Sequence, residues 1–219
     1  TEADWHHLWL SEGFANYLEA LWQLHADGDS VFRTVMSKAA SQIFGAKETA
    51  RPVVDTTAHD LVSLLNTNNY QKGAWVLHQL RGLVGDSAFF AGLRSYYREY
   101  RDRTALSADF ARVMSQAAKQ DLDWYFRQAL LQPGFPMLDI AWKHGGKKLT
   151  LEVRQTQPAE WGVYRLPHLI LVVDGTPVRI DVEGRESRIV VDGIAHKPRN
   201  IVVDPKGWWL LKANVSGER

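Results

Sequence analysis

Cysteine is absent from the 219 residues of this sequence. Without thiols the chain has no disulfide scaffold, no thiolate zinc site and no cysteine nucleophile. The absence of cysteine does not distinguish between an oxidising and a reducing compartment. Histidine, aspartate and glutamate side chains remain as metal ligands. Any metal site must therefore be built from imidazole and carboxylate groups.

The chain also has no excess of charge and no long apolar run. Lysine and arginine total 26 against 25 aspartate and glutamate residues, so neither nucleic acid nor an anionic membrane is indicated as a partner. No segment reaches the roughly eighteen consecutive apolar residues of a membrane helix, and Thr1 does not begin a basic and then apolar signal segment. With 45% hydrophobic residues, the composition is that of a globular protein with well-buried cores.

A natural chain start is missing as well. Position 1 is not methionine, and the apolar stripe of the first predicted helix begins by Trp5 instead of following frayed polar residues. We therefore expect a chain cut inside a domain. The missing N-terminal part of the same protein would then be a partner of this chain.

The spacing of apolar residues changes near residue 135. Before that point, spacings of three and four predict helices, and the first of them is apolar nearly all round, as in an internal helix. Gly85 is predicted to separate the two central helices. The predicted helices cover 4–25, 31–44, 61–65, 70–84 and 86–100, with two more between 107 and 130, and residues 66–69 are a polar break.

A cluster of helix breakers, Gln132-Pro133-Gly134-Phe135-Pro136, precedes a region where apolar and polar residues alternate. Alternation predicts strands, and Asp174-Gly175 and Asp192-Gly193 are turn signals at spacings that suit a sandwich. The predicted fold class is therefore α+β. An all-α helical subdomain over residues 1–135 is followed by a small antiparallel β-sandwich over residues 136–219.

One acid lies on an apolar helix face near the start of the chain. Glu12 shares a face with Trp5, Leu8 and Trp9 because residues three or four apart lie on the same side of a helix. Burying a carboxylate without a partner costs several kcal/mol. A structural ion pair with a lysine or arginine and a metal-binding role both satisfy this requirement.

The residues beside Glu12 bear on that choice. Gly13 weakens the helix by roughly 1 kcal/mol relative to alanine, which makes sense if another backbone or a ligand comes close. His6 and His7 lie about 120° and about 140° round the helix from Glu12, so they do not join it in one site. Because no H-E-x-x-H occurs in the sequence, a self-contained zinc site is not visible.

The segment Asp4–Tyr17 resembles the W-x-x-x-W-L-[NS]-E-G-F-A-x-Y segment of the zinc aminopeptidases related to aminopeptidase N, the gluzincins. In that family an H-E-x-x-H helix supplies two histidine ligands and a catalytic glutamate, and the glutamate of E-G-F-A is the third zinc ligand. The resemblance implies that Glu12 is this third ligand. The second histidine would fall just before Thr1, outside the chain.

A second segment, Asn69–His78, is similar to the Y-x-K-G-A segment of the same family. There the tyrosine hydroxyl faces the oxyanion of the tetrahedral intermediate, so the resemblance implies a catalytic role for Tyr70. Without the family resemblance, Tyr70 is interpreted as a core tyrosine at the start of a helix. Lys72 is interpreted as a solvated side chain and Gly73 as a close-packing position, and neither is assigned a chemical role.

The resemblance extends through the breaker cluster, which is like the family's junction between a helical catalytic half and a β-sandwich. It implies that the helical part is the C-terminal half of a thermolysin-like catalytic domain. The H-E-x-x-H segment, its general base and the family's G-x-M-E-N segment for the substrate amine are missing.

The predicted function is therefore that of a fragment of a zinc-dependent aminopeptidase, a hydrolase that removes N-terminal residues from peptides with a free N-terminus. The intact enzyme would hold Zn²⁺. The isolated chain is predicted to bind none and to be inactive, since Glu12 offers at most two oxygens and catalytic zinc needs three protein ligands. Self-association through an exposed apolar face is a further expectation.

Two alternatives remain open at this point. One is a non-catalytic protein-interaction module on an aminopeptidase scaffold, against which the retention of both Glu12 and Tyr70 argues. The other is a binding domain with chance motif matches, which would be favoured if these two residues were distant in the fold.

Overall fold

The α-helices lie within residues 1–133 and the strands begin at Met137. The chain divides at residue 134 into two compact units that correspond to these two parts. The computed structural model describes residues 1–217. We call the two parts the helical unit and the β unit. No helix within residues 1–217 is long and apolar enough to cross a membrane.

The helical unit contains five α-helices within the described residues, linked by short 3-10 and π-helical turns. The longest, α3, is interrupted at Gly85, whose φ of 79° and ψ of 159° are not helical. This confirms the predicted break between two helices at that glycine. The helices are α1 (Trp9–Asp27), α2 (Asp29–Gly45), α3 (Gly73–Tyr100), α4 (Ser107–Ala118) and α5 (Asp123–Phe126).

The first predicted helix differs from the structure in its start and in its burial. A 3-10 turn over Trp5–His7 comes first, because the side chain of Asp4 caps it by accepting the backbone N–H of His6. The expectation of a wholly internal helix is wrong. Trp9 and Tyr17 are fully buried, but Trp22 is 68% exposed, because α1 packs against α2 and α3 on one side.

Up to residue 217, the β unit consists of two sheets with the strand orders β5-β2-β1-β7 and β4-β3-β6. Neighbouring strands are antiparallel except for β1 and β7, which pair in parallel. The predicted turn at Asp174-Gly175 joins β3 to β4, with both residues at positive φ. The strands are β1 (Met137–Gly145), β2 (Lys148–Gln155), β3 (Leu166–Val173), β4 (Thr176–Val182), β5 (Glu186–Asp192), β6 (Ile201–Val203) and β7 (Lys212–Gly217).

The two sheets enclose one apolar core, to which Ile140 and Leu151 of one sheet and Leu169 and Val182 of the other contribute. Side chains alternate between buried and exposed positions along β2, as in a strand with one face on a core. A helical unit followed by a two-sheet sandwich confirms the predicted α+β fold class.

Candidate active site

Glu12 lies in the first turn of α1 and is half-buried next to the fully buried Trp9. Within residues 1–217, no ion pair joins Glu12 to a lysine or an arginine. The Glu12 carboxylate lies instead close enough to the Tyr70 phenol for its charge to raise the pKa of Tyr70. The structure therefore does not support the structural ion pair that the sequence left open, and it brings together the two residues singled out by the motifs.

The contact with Glu12 changes the acidity of the Tyr70 phenol. The pKa of Tyr70 is raised above its ordinary value, first because the phenolate loses solvation and then because the negative charge of Glu12 repels it. The hydroxyl therefore stays protonated at neutral pH. A protonated phenol can donate a hydrogen bond to a developing negative charge.

Tyr70 belongs to a π-helical turn, Asn68–Lys72, that leads into α3. The N–H of Lys72 donates to the carbonyl of Thr67 at 3.0 Å, the i to i+5 pattern of a π-helix. Such turns are rare and occur frequently at functional sites. The turn sets the direction in which the Tyr70 side chain leaves the backbone.

Two asparagines anchor this turn, although the sequence predicted a polar break there. Asn68 and Asn69 are 2% and 1% exposed. The amide of Asn68 donates to the carbonyls of Glu48 at 2.6 Å and Arg51 at 3.0 Å, and the amide of Asn69 donates to the carbonyl of Leu64 at 2.9 Å. The predicted break lies at residues 65–67, between the 3-10 helix Leu61–Leu64 and the π-helical turn. The two asparagines that follow it are buried because their amides bind backbone carbonyls instead of water.

Gly13 and Gly73 bring the two site segments into direct backbone contact. A Cβ atom built on Gly13 would lie 2.7 Å from the carbonyl carbon of Gly73. A Cβ atom on Gly73 would lie 3.0 Å from the Cα of Gly13. The expected close approach of another backbone at Gly13 and the close packing at Gly73 are thus one and the same contact.

Lys72 is not the solvated side chain that the sequence indicated. It is 5% exposed, and its Nζ has no hydrogen-bond acceptor among the described residues. Burial lowers the pKa of Lys72 to about 7 because the ammonium form loses its hydration. The sequence signal for this burial is the spacing to Trp75 and Val76, which lie three and four residues on and are both buried.

The histidines near the site have other partners. The Nδ1 of His6 lies 2.7 Å from the Asp4 carboxylate, which raises the pKa of His6, and the Nδ1 of His7 lies 2.6 Å from the Ser107 hydroxyl. Burial lowers the pKa of His7. Within residues 1–217, no three histidine, aspartate or glutamate side chains are grouped so that they could hold a metal ion.

A buried polar cluster that the sequence did not reveal joins α1 to α3. The hydroxyl of Tyr17 lies 3.1 Å from the Nδ1 of His78, and the nearby Arg81 partly offsets the rise in the pKa of Tyr17 that burial causes. Arg81 donates two hydrogen bonds, of 2.7 and 2.8 Å, to the Asp86 carboxylate. Arg81 and Asp86 lie on either side of Gly85. Opposite charges placed across a helix-breaking glycine are the one sequence signal that could have predicted this ion pair.

Comparison with known proteins bears directly on this arrangement. The model of the peptidase family M1 domain matches residues 1–128, which is more than half of the chain. The chain belongs to peptidase family M1. The match includes both site segments, so Glu12 and Tyr70 lie in the part of this M1 chain that carries the family's sequence pattern.

Relatives of the M1 chain include aminopeptidases from bacteria and animals. It is 28% identical over 206 residues to aminopeptidase N of Streptomyces lividans, covering 82% of this chain and 24% of that protein. It is 27% identical over 157 residues to glutamyl aminopeptidase of Homo sapiens, covering 67% of this chain and 16% of that protein. The M1 chain thus spans a quarter or less of the length of these relatives.

A solved structure shows the same fold. Aminopeptidase A of Legionella pneumophila, determined in complex with aspartic acid, matches 98% of the M1 chain and 25% of its own chain, with a TM-score of 0.78 and 16% identity. At this identity the likeness shows the fold alone.

Proposed function

We propose that this M1 chain is part of a longer zinc-dependent aminopeptidase, to which it contributes one metal ligand, Glu12, and one hydrogen-bond donor to the transition state, Tyr70. The observation that carries the proposal is the backbone contact between Gly13 and Gly73, which brings the Glu12 and Tyr70 segments together. The charge of Glu12 accordingly raises the pKa of Tyr70. A carboxylate without a cationic partner and a protonated phenol that meet at one point suit a hydrolytic site better than a structural ion pair.

The described residues supply only part of a zinc site. Catalytic zinc takes three protein ligands, whereas Glu12 is the one carboxylate that faces Tyr70, and no group of three ligands exists within residues 1–217. We therefore place the other ligands outside the 219 residues. Since the chain spans 16% to 25% of its relatives' length, there is room for them. By itself the chain should neither bind stoichiometric zinc nor hydrolyse peptides.

Zinc, when bound, supplies a Lewis acid that polarises the scissile carbonyl and activates a water for attack. Tyr70 then donates a hydrogen bond from its hydroxyl to the oxyanion that develops on that carbonyl. Its raised pKa keeps the proton on the phenol throughout the neutral range. Removing such a donor typically lowers kcat by about a hundredfold to a thousandfold.

The proposed substrates are peptides with a free N-terminus. The relatives are aminopeptidases by name, and this chain is proposed to act on the same class as part of the longer enzyme. Residues 1–135 would be the helical half of the catalytic domain and residues 136–219 the β-sandwich that follows it.

The test uses the full natural chain that contains these residues, with an aminoacyl-arylamide substrate. Tyr70→Phe should lower kcat at least a hundredfold with little change in KM and in zinc content, because the hydrogen bond from Tyr70 to the oxyanion forms only in the transition state. Glu12→Gln should lower zinc content. Tyr97→Phe is the control, since Tyr97 is 67% exposed.

Full activity in Tyr70→Phe would contradict the proposal. A folded full-length protein without any turnover would favour the non-catalytic interaction module instead. Tight zinc at one per chain in the isolated 219 residues would contradict the proposed division of ligands.

A further inference from the structure

The contact between Gly13 and Gly73 lies directly beside the two proposed site residues. Gly13 follows Glu12 on α1, and Gly73 begins α3 immediately after the turn that holds Tyr70. The atoms nearest to each added Cβ are main-chain atoms, except for the Cβ of Trp9 at 3.3 Å from the Gly73 position. Main-chain atoms cannot rotate away, so a methyl group at either position must move the two segments apart.

Backbone conformation does not explain the glycine at position 73. Its φ of −57° and ψ of −43° are ordinary helical values that any residue adopts. The same holds for Gly13 within the regular helix α1. Both positions therefore require glycine because the two backbones lie too close together for a side chain to fit between them.

The turn that carries Tyr70 is held at both ends. On one side the amides of Asn68 and Asn69 donate to the carbonyls of Glu48 and Leu64, which belong to two 3-10 helices. On the other side the N–H of Gly73 donates to the carbonyls of Asn68 and Tyr70, and its Cα meets α1. A displacement at Gly73 is therefore transmitted to Tyr70 instead of being absorbed by a flexible loop.

From this arrangement we infer that Gly13 and Gly73 are positioning residues, whose backbone contact brings the Tyr70 hydroxyl to the Glu12 carboxylate. The inference depends on the proposed function for its catalytic meaning, but the geometric part can be tested without any turnover. The clash is tighter at Gly13, where the shortest distance is 2.7 Å, than at Gly73, where it is 3.0 Å. Alanine should therefore perturb the site more at position 13.

The geometric test uses the 219-residue chain with labelled tyrosine and glutamate. The wild-type chain should show a nuclear Overhauser cross-peak between the Tyr70 ring and the Glu12 side chain. Gly73→Ala should weaken this cross-peak and Gly13→Ala should abolish it, with helical circular dichroism retained. Gly45→Ala is the matched control, because a Cβ at that helical glycine meets nothing within 4 Å.

Unchanged cross-peaks in both variants would overturn the inference. Loss of the fold in the milder variant, Gly73→Ala, would overturn it too, because the contact would then support the whole helical unit and not one pair of side chains.

The catalytic part is tested by a double-mutant cycle on kcat in the full natural chain. Gly73→Ala should lower kcat roughly tenfold, as expected for a small misplacement of a catalytic group. Combined with Tyr70→Phe it should lower kcat no further than Tyr70→Phe alone, since both act through one hydroxyl. Multiplying effects would contradict the positioning role, whereas a Tyr70→Phe variant with full kcat would contradict the proposed function itself.

Discussion

At the scale of single residues, the site region contains two groups, Tyr70 and Lys72, whose environments shift their pKa values in opposite directions. Tyr70 gains a partner in Glu12 and keeps its proton. Lys72, two residues on, is buried without an acceptor among the described residues and loses its proton more readily, with a pKa of about 7. A charge at Lys72 is therefore costly to the folded chain at low pH.

The pH dependence of stability follows from Lys72. Its folded pKa lies below the value of about 10.4 for an unfolded lysine, so the unfolded chain binds more protons between about pH 7 and pH 10, and the free energy of unfolding rises with pH in this window. Lys72→Met should remove this dependence and raise the free energy of unfolding at pH 7 by on the order of 1–3 kcal/mol.

Urea unfolding of the 219-residue chain at pH 7 and pH 9 measures both effects. Lys38→Met is the control, because Lys38 lies exposed on α2 and its ammonium already contacts water. A Lys72→Met chain that is less stable at pH 7 would show that the ammonium has a partner in solution.

At the scale of elements, interruptions of the helices place the side chains of the helical unit. The π-helical turn before α3 directs Tyr70, and the break at Gly85 turns the second half of α3. The Arg81 and Asp86 pair spans that break with two hydrogen bonds. The break is therefore held by a specific contact and is a fixed part of the fold.

Among the glycines of α3, Gly85 should be the one whose backbone conformation is least compatible with a side chain. Its φ of 79° with ψ of 159° lies in a region that other residues rarely adopt, so Gly85→Ala should lower the free energy of unfolding by roughly 1–3 kcal/mol. Space does not limit this position, since an added Cβ meets nothing within 4 Å. Gly45→Ala provides the comparison, and equal urea midpoints for the two variants would contradict the strain at Gly85.

At the scale of the whole molecule, the helical unit exposes an apolar surface. A cleft of 310 Å³ lies between α1 and α3, and side chains beside it are open to solvent, with Leu18 49% and Tyr97 67% exposed. Trp22 on α1 is 68% exposed. Apolar surface of this kind is typical of a face that another protein surface covers.

The isolated 219-residue chain should therefore self-associate. Sedimentation velocity over a range of concentrations should show oligomers that dissociate on dilution. Leu18→Glu should shift the distribution to monomers because it places a charge on the apolar face. Glu19→Gln changes an exposed neighbour on the same helix and should have no such effect. A chain that stays monomeric at all concentrations would contradict this prediction.

Local sequence patterns predicted the α+β class, the break at Gly85 and the two segments that carry Glu12 and Tyr70. Hydrophobic spacing, glycine conformation and short motifs are local properties, so they can be read from neighbouring residues. The roles of these residues and the assignment of residues 1–135 to a catalytic domain stay predictions.

The folded chain was needed to show that Glu12 lies close to Tyr70, that the Lys72 ammonium has no acceptor among the described residues, and that two asparagines anchor the intervening turn. Each of these depends on which distant segment lies against the turn. The contact between Gly13 and Gly73 is an example. Each glycine marks a place where another backbone can come close, but the local sequence does not indicate that the two glycines contact each other.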